Sequence, residues 1–253
     1  MNSHRCARRA TCVVFAVLGW TATAIAAPRL ALSEEEFEFG YVPQNSRITH
    51  IFHLYSKGDD SLKIIQVVPG CSCTQTPLKK QELAPGDSTE LEIIFDTRSY
   101  QGGVNKSPLI KTNEGPPDKN VRFHAEVIAR PDSTYPIIIK PYKLDLTQFG
   151  EKTRSEIKFT IENVSDKPLE MHLVAGPSDL FDVVLPKSIP GGKTGEGTLR
   201  LKESALTSAF EKCLTVQLND DKSSRFTIPV KRSIRGATAG AAAVPVGAPA
   251  SGH

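Results

Sequence analysis

Two stretches with alternating apolar side chains decide the fold of this chain. Residues 47–54 read RITHIFHL, and residues 154–161 read RSEIKFTI. The apolar side chains that alternate in them are Ile48, Phe52 and Leu54 in the first and Ile157, Phe159 and Ile161 in the second. A period of two is typical of a β-strand with one buried face. Each stretch is therefore predicted to form a half-buried strand.

The segments around these two strands repeat in the same order. The matching pairs are FEFG at 37–40 with LDL at 144–146, SLKII at 61–65 with KPLEM at 167–171, and a predicted strand at 106–112 with one at 212–218. Each half has roughly seven short strands with turn signals about every 8–12 residues, and amphipathic helices are not evident. The repeat predicts an all-β chain of two tandem immunoglobulin-like β-sandwich domains.

The predicted domain boundary lies in the segment RPDSTYP at 130–136. It separates a first domain at 27–130 from a second at 131–235, and each has about the length of one sandwich. The segment is short and contains two prolines, so we expect the domains to meet at a restricted angle.

Both ends of the chain lie outside these domains. Residues 1–26 combine a basic start, an apolar run from Val13 and the small-residue exit AIA, which is typical of a cleavable signal peptide. The apolar run is too short for the roughly 30 Å hydrocarbon core, which makes an uncleaved anchor the weaker alternative. Residues 236–253 are rich in Gly, Ala and Pro and are predicted to be a disordered tail.

The charge of the chain changes when the signal is removed. The whole sequence has 31 basic and 28 acidic residues, and the signal contains three of the arginines and none of the acids. The mature chain is therefore neutral, which argues against a nucleic-acid partner and against stable binding to an anionic membrane. A signal peptide implies a periplasmic or secreted protein.

The first half also carries a series of short motifs in a fixed order. They are FG at 39–40, HIFHL at 50–54, LKI at 62–64, CSCT at 71–74, PG at 85–86, FDT at 95–97 and the strand 106–112 with Asn113 after it. In this series the chain resembles a bacterial domain family of unknown function, numbered 1573, over residues 30–130. Ser72 stands where that family usually has Gly, and Tyr55 where Asn is common. The second half lacks the C-x-C and is a looser relative.

The resemblance implies an immunoglobulin-type fold, similar to the Hydin and major-sperm-protein domains, and an exported Gram-negative protein. It implies no activity, because the family has no settled one.

The C-x-C of Cys71 and Cys73 is the one sequence motif that indicates a candidate chemical site. Two thiols at this spacing can form a small strained disulfide, hold a soft metal such as Cu(I), or pack as small hydrophobic groups. In an oxidising compartment we expect the disulfide. Cys213 is then left as a reduced, partly buried thiol that packs beside its neighbours on the strand 212–218.

Other candidate sites have simpler explanations. GGKT at 191–194 lacks the earlier glycine of a phosphate loop and is predicted to be a hairpin. Asp59-Asp60 and Asp220-Asp221 are expected in turns. His50 and His53 are three residues apart on a strand and therefore point to opposite faces. No catalytic residue, cofactor or metal ligand is predicted, and the chain is predicted not to be an enzyme.

The sequence supports two functional hypotheses of different classes. The favoured one is a non-catalytic binding or scaffolding protein with protein partners in the bacterial envelope, because sandwiches expose loops and edge strands. The alternative is a thiol-redox or Cu(I)-handling protein that uses Cys71 and Cys73.

Overall fold

The computed structural model describes residues 26–150 and 152–235. Residues 1–25 of the predicted signal peptide and the predicted tail at 236–253 lie outside the described residues. Short 3-10 helices occur at Pro131–Ser133 and Glu203–Ala205. Across the described ranges, no helix is both long and apolar enough to cross a membrane.

The described residues of the first half form eleven strands. They are β1 (Leu30–Leu32), β2 (Glu36–Pro43), β3 (Arg47–Ser56), β4 (Leu62–Val68), β5 (Thr74–Gln75), β6 (Glu82–Leu83), β7 (Ser88–Asp96), β8 (Gly102–Lys106), β9 (Leu109–Thr112), β10 (Lys119–Asn120) and β11 (Arg122–Ile128).

Eleven more strands lie in the part of the second half that the structure describes. They are β12 (Ile137–Lys140), β13 (Leu144–Asp145), β14 (Gln148–Phe149), β15 (Glu156–Asn163), β16 (Leu169–Ala175), β17 (Phe181–Val184), β18 (Ser188–Ile189), β19 (Thr194–Leu201), β20 (Phe210–Leu218), β21 (Arg225–Arg232) and β22 (Ile234–Arg235).

These strands form layered sheets, and the predicted fold class, two immunoglobulin-like β-sandwiches in tandem, is confirmed. In the first half, the order β1-β3-β7-β5 makes one sheet and β10-β9-β4-β6 another. In the second half, β12-β15-β19-β17 makes one sheet. A longer sheet with the order β18-β16-β20-β21-β2-β11-β8 runs through both halves. One buried apolar cluster fills each half.

The alternating apolar side chains of the stretches 47–54 and 154–161 lie in β3 and β15, and both strands alternate as predicted. Ile48, Phe52 and Leu54 are fully buried on β3, and Phe159 and Ile161 on β15. Burying such a side chain contributes about 1.5–3 kcal/mol, so the alternation fixes which face of each strand points to the core.

The internal repeat extends to the turn residues. Asn113 Oδ1 accepts a hydrogen bond from the Lys63 backbone N–H at 2.8 Å, and Asn219 Oδ1 accepts one from the Glu170 N–H at 2.9 Å. Each asparagine follows one strand, and its side chain accepts a hydrogen bond from the backbone at the start of the neighbouring strand. The matching role explains why both turns begin with Asn.

One predicted strand is wrong in detail. Residues 106–112 were expected to form a single strand, whereas the chain breaks at Ser107-Pro108 into β8, which pairs with β11, and β9, which pairs with β4. Proline lacks the N–H that a continuous ladder needs. The equivalent β20 has no proline and pairs with both β16 and β21.

The halves are joined where β2 runs parallel to β21, through the pair Tyr41 and Phe226. Gly40 makes this approach possible. It has φ +65°, and a Cβ placed on it would lie 2.0 Å from the carbonyl oxygen of Arg225. The glycine of the FG motif is thus explained by the contact between the halves.

Polar and aromatic contacts close the same junction. Thr227 Oγ1 donates to the Phe39 carbonyl at 2.6 Å, and the rings of Tyr41 and Phe226 are 4.9 Å apart. Lys212 of β20 forms a salt bridge with Glu92 of β7, and both side chains are largely shielded from solvent. We refer to these contacts together with Gly40 as the junction.

Candidate functional site

The C-x-C lies in a tight turn between β4 and β5. Gly70 adopts φ +80°, a conformation that glycine tolerates best, and it turns the chain directly before Cys71. The Thr74 N–H then donates to the Cys71 carbonyl at 3.3 Å. The turn brings the Cα atoms of Cys71 and Cys73 to 5.3 Å, inside the range that a disulfide needs.

The structure joins Cys71 and Cys73 by a disulfide. Its two sulfurs differ in exposure, because Cys71 is half-buried and Cys73 is 5 % exposed and belongs to the first-half core. The presence of this bond in the exported protein stays a prediction.

Polar side chains surround the disulfide. The Tyr100 hydroxyl donates to Cys73 Sγ at 3.4 Å, and Lys106 Nζ donates to the Tyr100 hydroxyl at 3.5 Å. Thr74 Oγ1 lies 3.3 Å from Cys71 Sγ and 3.8 Å from Cys73 Sγ. The Tyr100 hydroxyl and the Lys106 cation therefore lie on the side of the buried sulfur, whereas the Thr74 hydroxyl lies closer to the sulfur of Cys71.

Sequence reasoning missed Tyr100 and Lys106. They lie 27 and 33 positions after Cys73, and no local spacing links them to the C-x-C. The pairing of β5 with β7 brings the C-x-C beside the end of β7, and Tyr100 follows that end. Only the sheet topology reveals the cluster.

Cys213 is more deeply buried than predicted and packs against the other half of the chain. It was predicted to be partly buried beside its neighbours on β20, but it is 3 % exposed and packs into the core of the first half. Its Sγ accepts from the Thr49 N–H at 3.2 Å and donates to the Thr49 carbonyl at 3.1 Å. The physical reason is the junction, which sets β20 against β3.

Burial raises the pKa of the Cys213 thiol to about 11, although the hydrogen bonds with Thr49 act in the opposite direction. A thiol with this pKa is almost wholly protonated at neutral pH. Because the thiolate is the nucleophile, Cys213 is chemically inert in the folded chain.

His50 and His53 point to opposite faces of β3. The ring of His50 stacks on Phe37 with centroids 3.5 Å apart and bonds Glu34 at 2.7 Å, while His53 is exposed. Burial lowers the pKa of His50, opposed by the Glu34 carboxylate. His50 is a largely buried residue bonded to Glu34, and His53 lies exposed at a cleft between the halves.

The paired acids and the GGKT segment are structural. Asp220 accepts hydrogen bonds from the N–H and hydroxyl of Ser224 at 2.7 and 2.6 Å, and Asp60 accepts from the Ser61 N–H at 2.6 Å. Gly191 and Gly192 form the turn between β18 and β19.

A cleft of about 620 Å³ lies between the two halves. Its apolar lining includes Ile51, Pro77, Leu78, Val174, Ala175, Pro177 and Leu180, and the largely buried Cys213 borders it. Its charged lining consists of Lys79, Glu90, Glu92, Asp179 and Lys212, with His53 at one side. Within the described residues, no three His, Cys, Asp or Glu side chains are grouped closely enough to hold a metal ion.

Residues 30–127 match the family described as Protein of unknown function (DUF1573). The resemblance that the CSCT series indicated is thereby confirmed for residues 30–127. The match ends before the second half begins. No curated protein matches the sequence.

The fold is similar to several solved structures. One is a protein of unknown function from Porphyromonas gingivalis W83, at 14 % identity and TM-score 0.37, with 80 % of this chain and 98 % of that chain covered. The PapD-like domain 7 of human CEP192 has 8 % identity and TM-score 0.34, with 47 % and 99 % covered. The E. coli chaperone DraB has 10 % identity and TM-score 0.30, with 80 % and 98 % covered.

Proposed function

We propose that this chain is a non-catalytic binding or scaffolding protein that is exported to the bacterial envelope and binds other proteins there. The observation that carries the proposal is the cleft, whose walls come from both halves. Val174 to Leu180 form one wall, and side chains of β3 and β7 form the other. A surface shared by two domains is a common position for a binding site.

The junction makes the cleft a preformed surface. Gly40, Cys213 and Thr227 are packed against the opposite half, so the two sandwiches cannot separate without exposing buried groups. A rigid surface binds with a smaller loss of conformational entropy than a mobile one.

The lining favours a protein segment as the occupant. The lining combines apolar side chains such as Ile51 and Leu180 with charged side chains of both signs, among them Lys79 and Glu90. A nucleic acid would require a surface dominated by basic residues, whereas a polypeptide offers both apolar side chains and charges to such a surface.

Photo-crosslinking tests the proposed surface. A photoreactive amino acid replaces His53, which is exposed in the cleft, or Lys158, an exposed residue of β15 that serves as the matched control. We expect defined adducts with envelope proteins from position 53 and none from position 158. Equal adducts at both positions, or none at 53, would contradict the proposal.

Export is tested separately. Fractionation and intact mass should find the chain in the envelope with Ala27 as its first residue, because the AIA exit precedes it. A mass that still includes residues 1–26 would contradict the cleavable signal while leaving the cleft proposal open to its own test.

The alternative function, Cu(I) or thiol-redox chemistry at Cys71 and Cys73, draws on the polar groups around the disulfide. Copper binding would require both sulfurs as thiolates. Titration of the reduced protein with Cu(I), with Cys71→Ser as the control, distinguishes it: one equivalent bound only by the unsubstituted protein would favour copper.

A further inference from the structure

We propose that the Cys71–Cys73 disulfide is a thiol-exchange site that accepts two electrons from a partner dithiol. Cys71 is the sulfur that is attacked, and Cys73 is the leaving thiolate. This inference rests on the thiol-redox alternative, to which it assigns the attacked and the leaving sulfur, and it does not depend on the binding role.

Exposure selects the sulfur that is attacked. An attacking thiolate must approach one sulfur in line with the S–S bond, so access decides between the two. Cys71 is half-buried beside the exposed Ser72, whereas Cys73 is 5 % exposed in the core of the first half. Cys71 is therefore the more accessible cysteine of the pair.

Cys73 is favoured as the leaving group because its hydrogen-bond donor, Tyr100, is itself backed by a cation, whereas the neighbour of Cys71 Sγ is the neutral Thr74 hydroxyl at 3.3 Å. In the disulfide, Cys73 Sγ is a weak acceptor for the Tyr100 hydroxyl at 3.4 Å. When the S–S bond breaks, the same sulfur becomes an anion and the same hydrogen bond becomes much stronger. Lys106, 3.5 Å from the Tyr100 hydroxyl, adds a positive charge next to that donor.

The Tyr100 hydroxyl is held in place before any reaction. Its ring packs against Phe95 with centroids 5.6 Å apart, and its backbone N–H donates to the Thr97 carbonyl at 2.9 Å. The side-chain amide of Gln44 donates to the Tyr100 carbonyl at 2.7 Å. A donor that is already oriented loses little entropy when the thiolate forms.

The exchange balances in two steps. A partner thiolate forms a bond to Cys71 Sγ while the Cys71–Cys73 bond breaks, and its electron pair stays on Cys73 as a thiolate. A second thiolate of the partner then attacks the partner sulfur bound to Cys71 and releases Cys71 as a thiolate. The partner dithiol is oxidised to a disulfide, Cys71 and Cys73 are reduced, and two protons from the partner thiols can protonate them.

The site of attack is tested with reduced glutathione as the probe. The mature protein is incubated with glutathione, quenched in acid, alkylated and mapped by mass spectrometry. We expect glutathione on Cys71 and the alkyl group on Cys73. Glutathione mainly on Cys73, or divided equally between the two, would overturn the assignment.

The positioning roles of Tyr100 and Lys106 are tested by two matched pairs. Tyr100→Phe is compared with Tyr135→Phe, an exposed tyrosine elsewhere, and Lys106→Met is compared with Lys111→Met on β9. In Tyr100→Phe we expect reduction by dithiothreitol to slow roughly tenfold, in line with a lost hydrogen bond to a charged group. Lys106→Met should slow it by a smaller factor.

A second readout separates this role from a structural one. In the Cys71→Ser background, Tyr100→Phe should raise the pKa of the Cys73 thiol by about one unit, because the thiolate loses its donor. Thermal unfolding confirms that each variant is folded. If Tyr100→Phe and Lys106→Met leave both the rate and the thiol pKa equal to those of their controls, the proposal is wrong.

Discussion

Cys213 and the Cys71–Cys73 pair contact the same apolar core of the first half, yet their surroundings differ in every respect that governs sulfur chemistry. Cys213 is enclosed by the junction, and its hydrogen bonds go to the backbone of Thr49. Cys71 is half-exposed, and its partner sulfur faces Tyr100. The difference teaches that access and nearby donors decide which sulfur can react, and the residue type alone does not.

The largest effect on stability is expected from a substitution at the junction, which should also expose Cys213. Gly40→Ala places a Cβ against the Arg225 carbonyl, a backbone atom that cannot move aside cheaply. We expect a loss of roughly 3 kcal/mol or more in the free energy of unfolding, measured by urea denaturation. Cys213 should also become open to alkylation in the folded protein.

Gly86→Ala is the matched control for this change. Gly86 also has a positive φ, +84°, but a Cβ there would meet nothing within 4 Å. It should cost about 1 kcal/mol, the penalty of the backbone conformation alone. Equal losses in the two variants would contradict the close approach at the junction.

The next effect concerns the pH dependence of stability. The pKa of Cys213 is about 11 in the folded chain against 9.0 for an ordinary cysteine, because burial disfavours the thiolate. The unfolded chain therefore loses the thiol proton at a lower pH than the folded chain does. The contribution of the buried thiol to the free energy of unfolding is complete below pH 9 and is lost as the pH rises towards 11. By pH 10.5 the loss should reach about 2 kcal/mol.

Urea denaturation at pH 8 and pH 10.5 measures this loss, with Cys213→Ala as the reference, since lysines and tyrosines titrate in the same range. The unsubstituted protein should lose more stability than Cys213→Ala between the two pH values. Parallel behaviour of the two proteins would mean that the thiol is less buried than the structure shows.

The smallest expected effect on stability concerns the Cys71–Cys73 disulfide. Replacing both Cys71 and Cys73 by Ser should lower the free energy of unfolding by about 1 kcal/mol, because the disulfide closes a very short loop. Thermal unfolding in oxidising and reducing buffer measures it. A loss as large as that of Gly40→Ala would show that the disulfide is a structural bridge instead of an exchange site.

The fold was predictable because the alternation in β3 and β15 is strong and repeated. The break of the strand at 106–112 was also visible in principle, since Pro108 lies within it. The junction was not predictable, because the close approach of Gly40 to Arg225 joins residues 185 positions apart and nothing local marks it. The same holds for Tyr100, which follows β7, and for Lys106 at the end of β8, because long-range strand pairing brings both to the disulfide.

The most direct test is a thiol map of the protein taken from the envelope, alkylated natively before and after mild reduction. We predict no labelling of Cys71, Cys73 or Cys213 in the untreated protein. After mild reduction, labelling should begin at Cys71 and then reach Cys73, while Cys213 stays protected until denaturant is added. Labelling of Cys71 and Cys73 without reduction, or of Cys213 in the folded protein, would contradict these assignments.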